Sequence, residues 1–172
     1  MMRRVLIAMA CVCAIGLTNV VVDGQDSAKS DAEVERGRAT VKMLDNIFKQ
    51  AIVLITDKYV HDEDDFPAGS AAVVWFKAIS EAGPNSVRLI DASGDPYKAT
   101  NVAQDEFEKA GIKELKAGKP YYDEVAVRDG KRVLRAVTAV PVVMDKCVMC
   151  HPHYKNVKPG EAIGAISYTV PL

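Results

Sequence analysis

The chain has 172 residues, of which 49% are hydrophobic and 26% are charged, and its formal net charge is −1. This composition is that of an ordinary globular protein, and the length suits one domain with a real hydrophobic core. The near-balance of charge, without a block rich in lysine or arginine, gives no indication of a nucleic-acid partner or of an anionic membrane surface.

The N-terminal end of the chain predicts a signal peptide, residues 1–24. Arg3 and Arg4 precede an apolar stretch over residues 5–22, which is followed by small residues. This order is typical of a cleaved export signal. We therefore expect cleavage before Gln25 and a periplasmic or otherwise exported protein. The alternative is a retained membrane anchor, because the apolar stretch is roughly long enough to span a bilayer.

The next segment predicts a leader followed by one long helix. Residues 25–34 begin with polar and small side chains, as expected of a flexible leader, and the predicted domain covers residues 35–172. Helical periodicity extends from Ala32 to about Tyr59. Its broad apolar stripe consists of Met43, Leu44, Ile47, Phe48, Ala51, Ile52, Leu54 and Ile55.

The middle of the chain alternates helical spacing with turn residues. Charged residues combined with proline and glycine interrupt the first helix, and a cluster of turn residues follows the first predicted strand. The predicted elements are a surface loop over 61–69, a helix over 70–82, a strand over 87–91 and a helix over 103–117.

The last third of the chain has the two-residue period of strands. Residues 124–128 and 132–143 predict two strands joined at Asp129-Gly130, and Asp-Gly between two such segments is a strong hairpin signal. A final strand is expected over 162–170. Helices followed by a mostly antiparallel sheet indicate an α+β domain.

The sequence Cys147-Val148-Met149-Cys150-His151 predicts the covalent attachment of one haem c. Two thiols with the spacing C-x-x-C-H can each form a thioether with one vinyl group of haem, and the histidine that follows becomes the proximal ligand of the iron. Export agrees with this prediction, because bacterial c-type haem is attached outside the cytoplasm. Removal of the signal, which contains Cys11 and Cys13, leaves Cys147 and Cys150 as the only cysteines.

Two other kinds of site fit the same cysteine pair less well. A zinc-binding domain would combine the motif with His153 and the distant His61, but the second ligand cluster that structural zinc usually requires is missing. A thioredoxin-like disulfide needs the cysteines at the start of a helix in a βαβ unit. Pro152 disfavours a helix at His151, so haem remains the favoured interpretation.

The second axial ligand of the iron has several candidates. His61, at the end of the long helix, is favoured if a side chain binds, because it is the only strong nitrogen donor in the helical part of the chain. Met43 is the alternative, although a methionine on an apolar stripe packs in a core more often than it binds a metal. His153 lies too close to the proximal ligand. An iron with five ligands, or with water as the sixth, is an equal alternative.

The position of the motif between two late strands resembles the c-type haem proteins with a PAS-like fold. Proteins of this family occur as free periplasmic or lumenal proteins and as extracytoplasmic sensor domains. The resemblance covers about residues 35–172. It depends on the long first helix and on four segments, which are the strand at 87–91 with its turn, the segment 135–143, the motif itself with Pro152, and the strand at 164–168.

The resemblance implies covalent haem at Cys147 and Cys150, with His151 as proximal ligand. It also implies a pocket between the first helix and the sheet, with walls from Phe48, Ile52, Tyr59, Trp75 and Tyr121. A member of such a family looks to use a cysteine thiolate from its helical part as second ligand. This chain departs from that pattern, because the predicted mature chain has no cysteine outside the motif.

Three functions are compatible with haem c in such a domain. The favoured one is electron transfer in the periplasm with a redox partner protein. The alternative is a haem-based sensor or binding module for the redox state or for a small gaseous ligand such as NO, CO or O₂. An enzyme such as a peroxidase is less favoured, because it needs an acid or base above an open iron and only His61 could supply it.

Overall fold

The computed structural model describes residues 22–62, 65–96, 98–149 and 151–172, and it describes side chains from residue 27 onward except at residue 28. Most of the predicted signal peptide, including Cys11 and Cys13, lies outside the described residues, as does Cys150. The helices are α1 Val22–Tyr59, α2 Ala68–Ala82, α3 Glu106–Lys116, α4 Lys146–Met149 and a 3₁₀ helix Pro152–Asn156. The strands are β1 Ser86–Asp91, β2 Tyr121–Arg128, β3 Lys131–Pro141 and β4 Ala162–Pro171.

The four strands form one antiparallel sheet in the order β1-β4-β3-β2. The last strand of the chain, β4, therefore lies inside the sheet between β1 and β3. Together with the long helix α1, this sheet confirms the predicted α+β class, and the motif lies between the last two strands as expected.

Helices cover both faces of the sheet. The core under α1 and α2 contains Val41, Phe48, Ala72, Phe76, Val87, Leu134, Ala136, Ile166, Tyr168 and Val170. The core under α3 contains Ile90, Phe107, Leu115, Val137, Ala162 and Ala165. Because side chains of a strand alternate between the two faces, β4 contributes to both cores and is buried along nearly its whole length.

The predicted hairpin at Asp129-Gly130 is confirmed. The φ angles of Asp129 and Gly130 are 51° and 73°, and the flanking residues Arg128 and Lys131 are paired. Positive φ at both central residues is the requirement of the tight turn that matches the twist of antiparallel strands.

The segment predicted as a flexible leader, residues 25–34, belongs to α1. The helix begins at Val22 instead of Ala32, and its early turns contact the sheet through Arg132 on β3. The Arg132 guanidinium donates to Ser30 Oγ at 2.8 Å and pairs with Glu33 at 2.9 Å. Among the described helices, none combines the length and apolar character needed to cross a membrane.

The helix α3 begins later than its periodicity predicts, at Glu106 instead of residue 103. Asp105 is its N-cap, because one carboxylate oxygen accepts the backbone N–H of Glu108 at 3.0 Å. A cap residue of this kind has extended backbone, so the residues before it cannot continue the helix.

One carboxylate fixes α1 over the sheet. Asp45 Oδ1 accepts hydrogen bonds from Thr138 Oγ1 at 2.6 Å and from the Tyr168 hydroxyl at 3.0 Å, and Asp45 Oδ2 pairs with Lys49 at 2.9 Å. Burial and the neighbouring Asp45 raise the pKa of Tyr168 far above its usual range, so its hydroxyl remains a donor. These bonds set which face of α1 points towards the sheet.

Gly111 provides a test of the packing between α3 and the sheet. A Cβ at this buried position would lie against the Val137 side chain, 3.3 Å from its Cβ and in closer contact with one of its methyl groups. We expect Gly111→Ala to lower the free energy of unfolding by about 1–3 kcal/mol in urea titration, because the core is overpacked. The matched control is Gly69→Ala in α2, where nothing lies within 4 Å. An equal loss of stability in the control would contradict this account.

Candidate functional site

A cleft opens at the end of the sheet where β1 and β3 finish and β4 begins. It contains about 1050 Å³ of empty space, part of which is open solvent. The last turns of α1 and the first turns of α2 form one wall, and the segment that joins β3 to β4 forms another. The cleft therefore lies between helices and sheet, at one end of the domain.

The inner surface of the cleft is mainly apolar. The large aliphatic residues that line it are Ile52, Val60, Val73, Leu89, Ile90, Val140 and Ile163. At its floor lies Gly164, which pairs with Val140 on one side and with Asp91 on the other. A Cβ at Gly164 would lie 3.2 Å from the Ile90 carbonyl oxygen and 3.8 Å from the Val140 Cβ, so a side chain at this position would be crowded by the neighbouring strands.

Cys147 and His151 line this same cleft. Cys147 lies in the short helix α4, where its backbone N–H donates to the Met144 carbonyl at 3.0 Å. His151 follows α4 and precedes the 3₁₀ helix, and its carbonyl accepts the Tyr154 N–H at 2.9 Å. The two helical turns bring a thiol and an imidazole to one apolar surface.

The His151 ring is held in an aromatic environment. It stacks on Tyr154, with 4.7 Å between ring centroids and 23° between planes, and the His153 ring meets it edge-on at 5.7 Å. Burial lowers the pKa of His151, nearby His153 acts in the same direction, and Asp91 opposes them. His151 is therefore neutral at pH 7, which is the form that binds a metal.

Tyr154 connects the motif to the turn after β1. Burial raises the pKa of the Tyr154 hydroxyl, and the charge of nearby Asp91 acts in the same direction. Within the same turn, Asp91 accepts hydrogen bonds from Ser93 Oγ at 2.6 Å and from the Gly94 N–H at 2.7 Å. The tyrosine that stacks on His151 is thus close to the turn after β1, and nothing in the motif spacing indicated this.

Lys146 connects the motif to α1. Its Nζ donates to the carbonyl oxygens of Asp57 and Val60, both at 2.7 Å, and lies 3.5 Å from that of Thr56. Sequence analysis did not identify this residue. Its only signal was its place directly before Cys147.

The two predicted axial ligands in the helical part lie away from the cleft. His61 is exposed just after α1, with its backbone N–H donating to Asp65 Oδ2 at 2.6 Å, and it does not line the cleft. Met43 is 56% exposed on α1 and does not line the cleft either. His153 is exposed outside it as well. Their roles, like those of Cys147, Cys150 and His151, stay predictions.

Of the five predicted wall residues, Ile52 lines the cleft. Phe48 and Trp75 pack against each other in the core, with ring centroids 5.1 Å apart. Tyr59 is 72% exposed, and Tyr121 is partly buried and donates to Asp123 at 2.9 Å. The remaining apolar lining comes from valines, isoleucines and a leucine of α2, the sheet and the residue that follows α1.

Comparison with known proteins assigns the chain to a family. The model of the Tll0287-like family, described as Tll0287, matches residues 25–171. The chain belongs to the Tll0287-like family. The match begins within α1 and extends through β4, so it includes the cleft and the motif. No curated protein matches the chain.

The residues present in the cleft fit the predicted haem. An apolar cleft without a side chain at Gly164 suits an apolar macrocycle, and a neutral imidazole beside a thiol suits an iron porphyrin that is attached covalently. Within the described part of the chain, no group of three or more His, Cys, Asp or Glu residues could hold a metal ion.

Proposed function

We propose that this protein is an exported c-type cytochrome with one haem c, which transfers electrons to or from a redox partner protein in the periplasm. Thioethers would join the haem to Cys147 and Cys150, and His151 would be the proximal iron ligand. The observation that carries the proposal is that Cys147 and His151 line the same apolar cleft. Bound haem supplies the one-electron chemistry.

The residues around the cleft have three roles in this proposal. His151 supplies a neutral nitrogen donor, and Tyr154 stacks on its ring and limits its rotation. The apolar walls exclude water from the porphyrin, which disfavours the more highly charged ferric state and so raises the reduction potential. No acid or base is required, because electron transfer leaves no bond to be broken.

Membership of the Tll0287-like family supports the haem assignment, since this is a family of c-type haem-binding proteins. The helices packed on a four-stranded antiparallel sheet are compatible with a PAS-like domain, as the resemblance implied. We extend the proposal to that relationship, and to export by cleavage of residues 1–24.

Replacement of both motif cysteines tests the attachment. In the exported protein produced with haem-maturation factors, Cys147→Ala with Cys150→Ala should abolish haem that survives acid-acetone extraction, because thioethers are covalent and other contacts are not. The matched control is Met149→Ala, inside the motif but without a predicted bond to haem, which should keep its haem. Haem content is measured as the pyridine haemochrome.

A colourless wild-type protein, or haem that is lost entirely to the solvent on extraction, would contradict the assignment. Zinc found by metal analysis in such a colourless protein would instead support the zinc-binding alternative.

Two neighbouring valines of α2 test whether haem occupies this cleft. Val73 lines the cleft, whereas Val74 is 62% exposed. Val73→Trp should fill the cleft and remove most of the covalent haem, because the bulky indole takes the space of the porphyrin. Val74→Trp should retain haem at the wild-type ratio of haem to protein. Equal haem content in the two variants would place the haem elsewhere.

A second candidate function is the binding of a small gaseous ligand to the iron. Among the described residues that line the cleft, His151 is the only imidazole and methionine is absent. Since the described wall offers no second imidazole or thioether, the sixth position of the iron is expected to take water or a small ligand such as CO or NO. This observation favours the sensor alternative over an enzyme.

Variants of the predicted axial ligands separate the two functions. If the sixth position is open, the ferrous protein should bind CO rapidly, and His61→Ala and Met43→Ala should leave the absorption spectrum unchanged. A low-spin wild-type spectrum that becomes high-spin in His61→Ala would make His61 the ligand and would remove the support for ligand binding. The same change in Met43→Ala would assign that role to methionine.

A further inference from the structure

Lys146 directly precedes Cys147, and its side chain donates hydrogen bonds to backbone carbonyls at the end of α1. We propose that Lys146 is a positioning residue, which fixes the haem-attachment segment to the end of α1 and holds a positive charge beside the cleft that raises the reduction potential of the haem. This inference rests on the proposed attachment of haem at Cys147 and Cys150.

The first step of the argument is the end of α1. The last four carbonyls of an α-helix have no partner within the helix, and the C-terminal end carries a partial negative charge. Lys146 Nζ bonds to the carbonyl oxygen of Asp57 at 2.7 Å and lies 3.5 Å from that of Thr56, both within the last turn. A third bond reaches the Val60 carbonyl at 2.7 Å. The ammonium therefore caps α1 from a distant part of the chain.

The second step concerns the motif itself. The backbone N–H groups of Cys147 and Val148 bond locally, to the carbonyls of Met144 and Asp145 at 3.0 Å. Such local bonds give α4 its shape but do not determine where it lies in the molecule. The Lys146 side chain joins α4 to α1 through backbone acceptors, so the position of Cys147 in the cleft depends on it directly.

The third step is electrostatic. Ferric haem carries one more positive charge than ferrous haem, so a nearby cation disfavours the oxidised state and raises the reduction potential. Lys146 lines the cleft, as do the last turns of α1. Without the ammonium, the partial negative charge of the free carbonyls at the end of α1 would face the cleft. That charge would stabilise ferric iron and lower the reduction potential further. Asp91 and a second lysine, Lys98, also line the cleft, and neither residue is changed in the variants below.

Three substitutions separate charge from hydrogen bonding. Lys146→Met removes both, Lys146→Gln keeps a donor without the charge, and Lys146→Arg keeps both. The matched control is Lys155→Met, which removes an exposed lysine from the 3₁₀ helix after the motif. Each holoprotein is measured for haem content as the pyridine haemochrome, for midpoint potential by spectroelectrochemistry, and for Tm.

We expect Lys146→Met and Lys146→Gln to have lower midpoint potentials than the wild type, and Lys146→Arg and Lys155→Met to match it. The Tm of Lys146→Met should fall by roughly 2–4 °C, because a helix cap is lost. If Lys146→Met matures without haem while Lys146→Arg keeps it, the anchoring role is supported. The effect of the charge on the midpoint potential is then measured in Lys146→Gln.

If Lys146→Met and Lys146→Gln both had the midpoint potential of the wild type, the inference would be overturned. This holds even if their Tm were lower, because Lys146 would then act only as a helix cap. An equal fall in Lys155→Met would overturn it too, since any nearby positive charge would have the same effect. These failures differ from failure of the proposed function, which would appear as a wild-type protein without covalent haem.

Discussion

The pairing of β3 with β4 is the constraint on which the site depends. These neighbouring strands are antiparallel, with Val140 opposite Gly164 and Pro141 opposite Ala162. The chain between them must therefore leave and re-enter the sheet at the same end, and residues 142–161 contain the whole motif. Because β1 also ends beside Gly164, three strands supply the floor of the cleft. Both ends of the segment that contains the motif are therefore fixed at the cleft end of the sheet.

The helical wall depends on the buried contact of α1 with the sheet. Asp45 accepts hydrogen bonds from β3 and β4, and Ile52 and Thr56 follow it by two and three helical turns on nearly the same face. Fixing Asp45 on the sheet thus aims Ile52 and Thr56 into the cleft at its end. The contact of α1 with β3 and β4 therefore determines both the core beneath this helix and the helical wall of the cleft.

Sequence reasoning succeeded where the signal was local. The Asp129-Gly130 turn needs positive φ at adjacent residues, and the two residue types are the ones that adopt it. The C-x-x-C-H spacing is equally local, but haem attachment there stays a prediction. Sequence reasoning was weaker where contacts between distant parts of the chain decide which residues are buried or helical. The apolar stripe of α1 includes both Phe48, which is buried, and Met43, which is exposed, and periodicity alone could not rank them. Residues 25–34 belong to α1, where Ser30 accepts a hydrogen bond from Arg132, about one hundred positions later, and composition could not indicate that contact.

The balance between electron transfer and ligand binding depends on which polar groups of the cleft are already engaged. Thr56 Oγ1 donates to the Ile52 carbonyl at 2.8 Å, and Lys146 donates to the end of α1. Polarity and hydrogen-bond donors on the open side of a haem decide whether O₂ is bound or activated. Thr56 and Lys146 are committed to backbone, whereas Ser70, Lys98 and Asn101 also line the cleft. In the proposed function, discrimination between O₂ and CO or NO would therefore depend on which of these three donors lies near the iron.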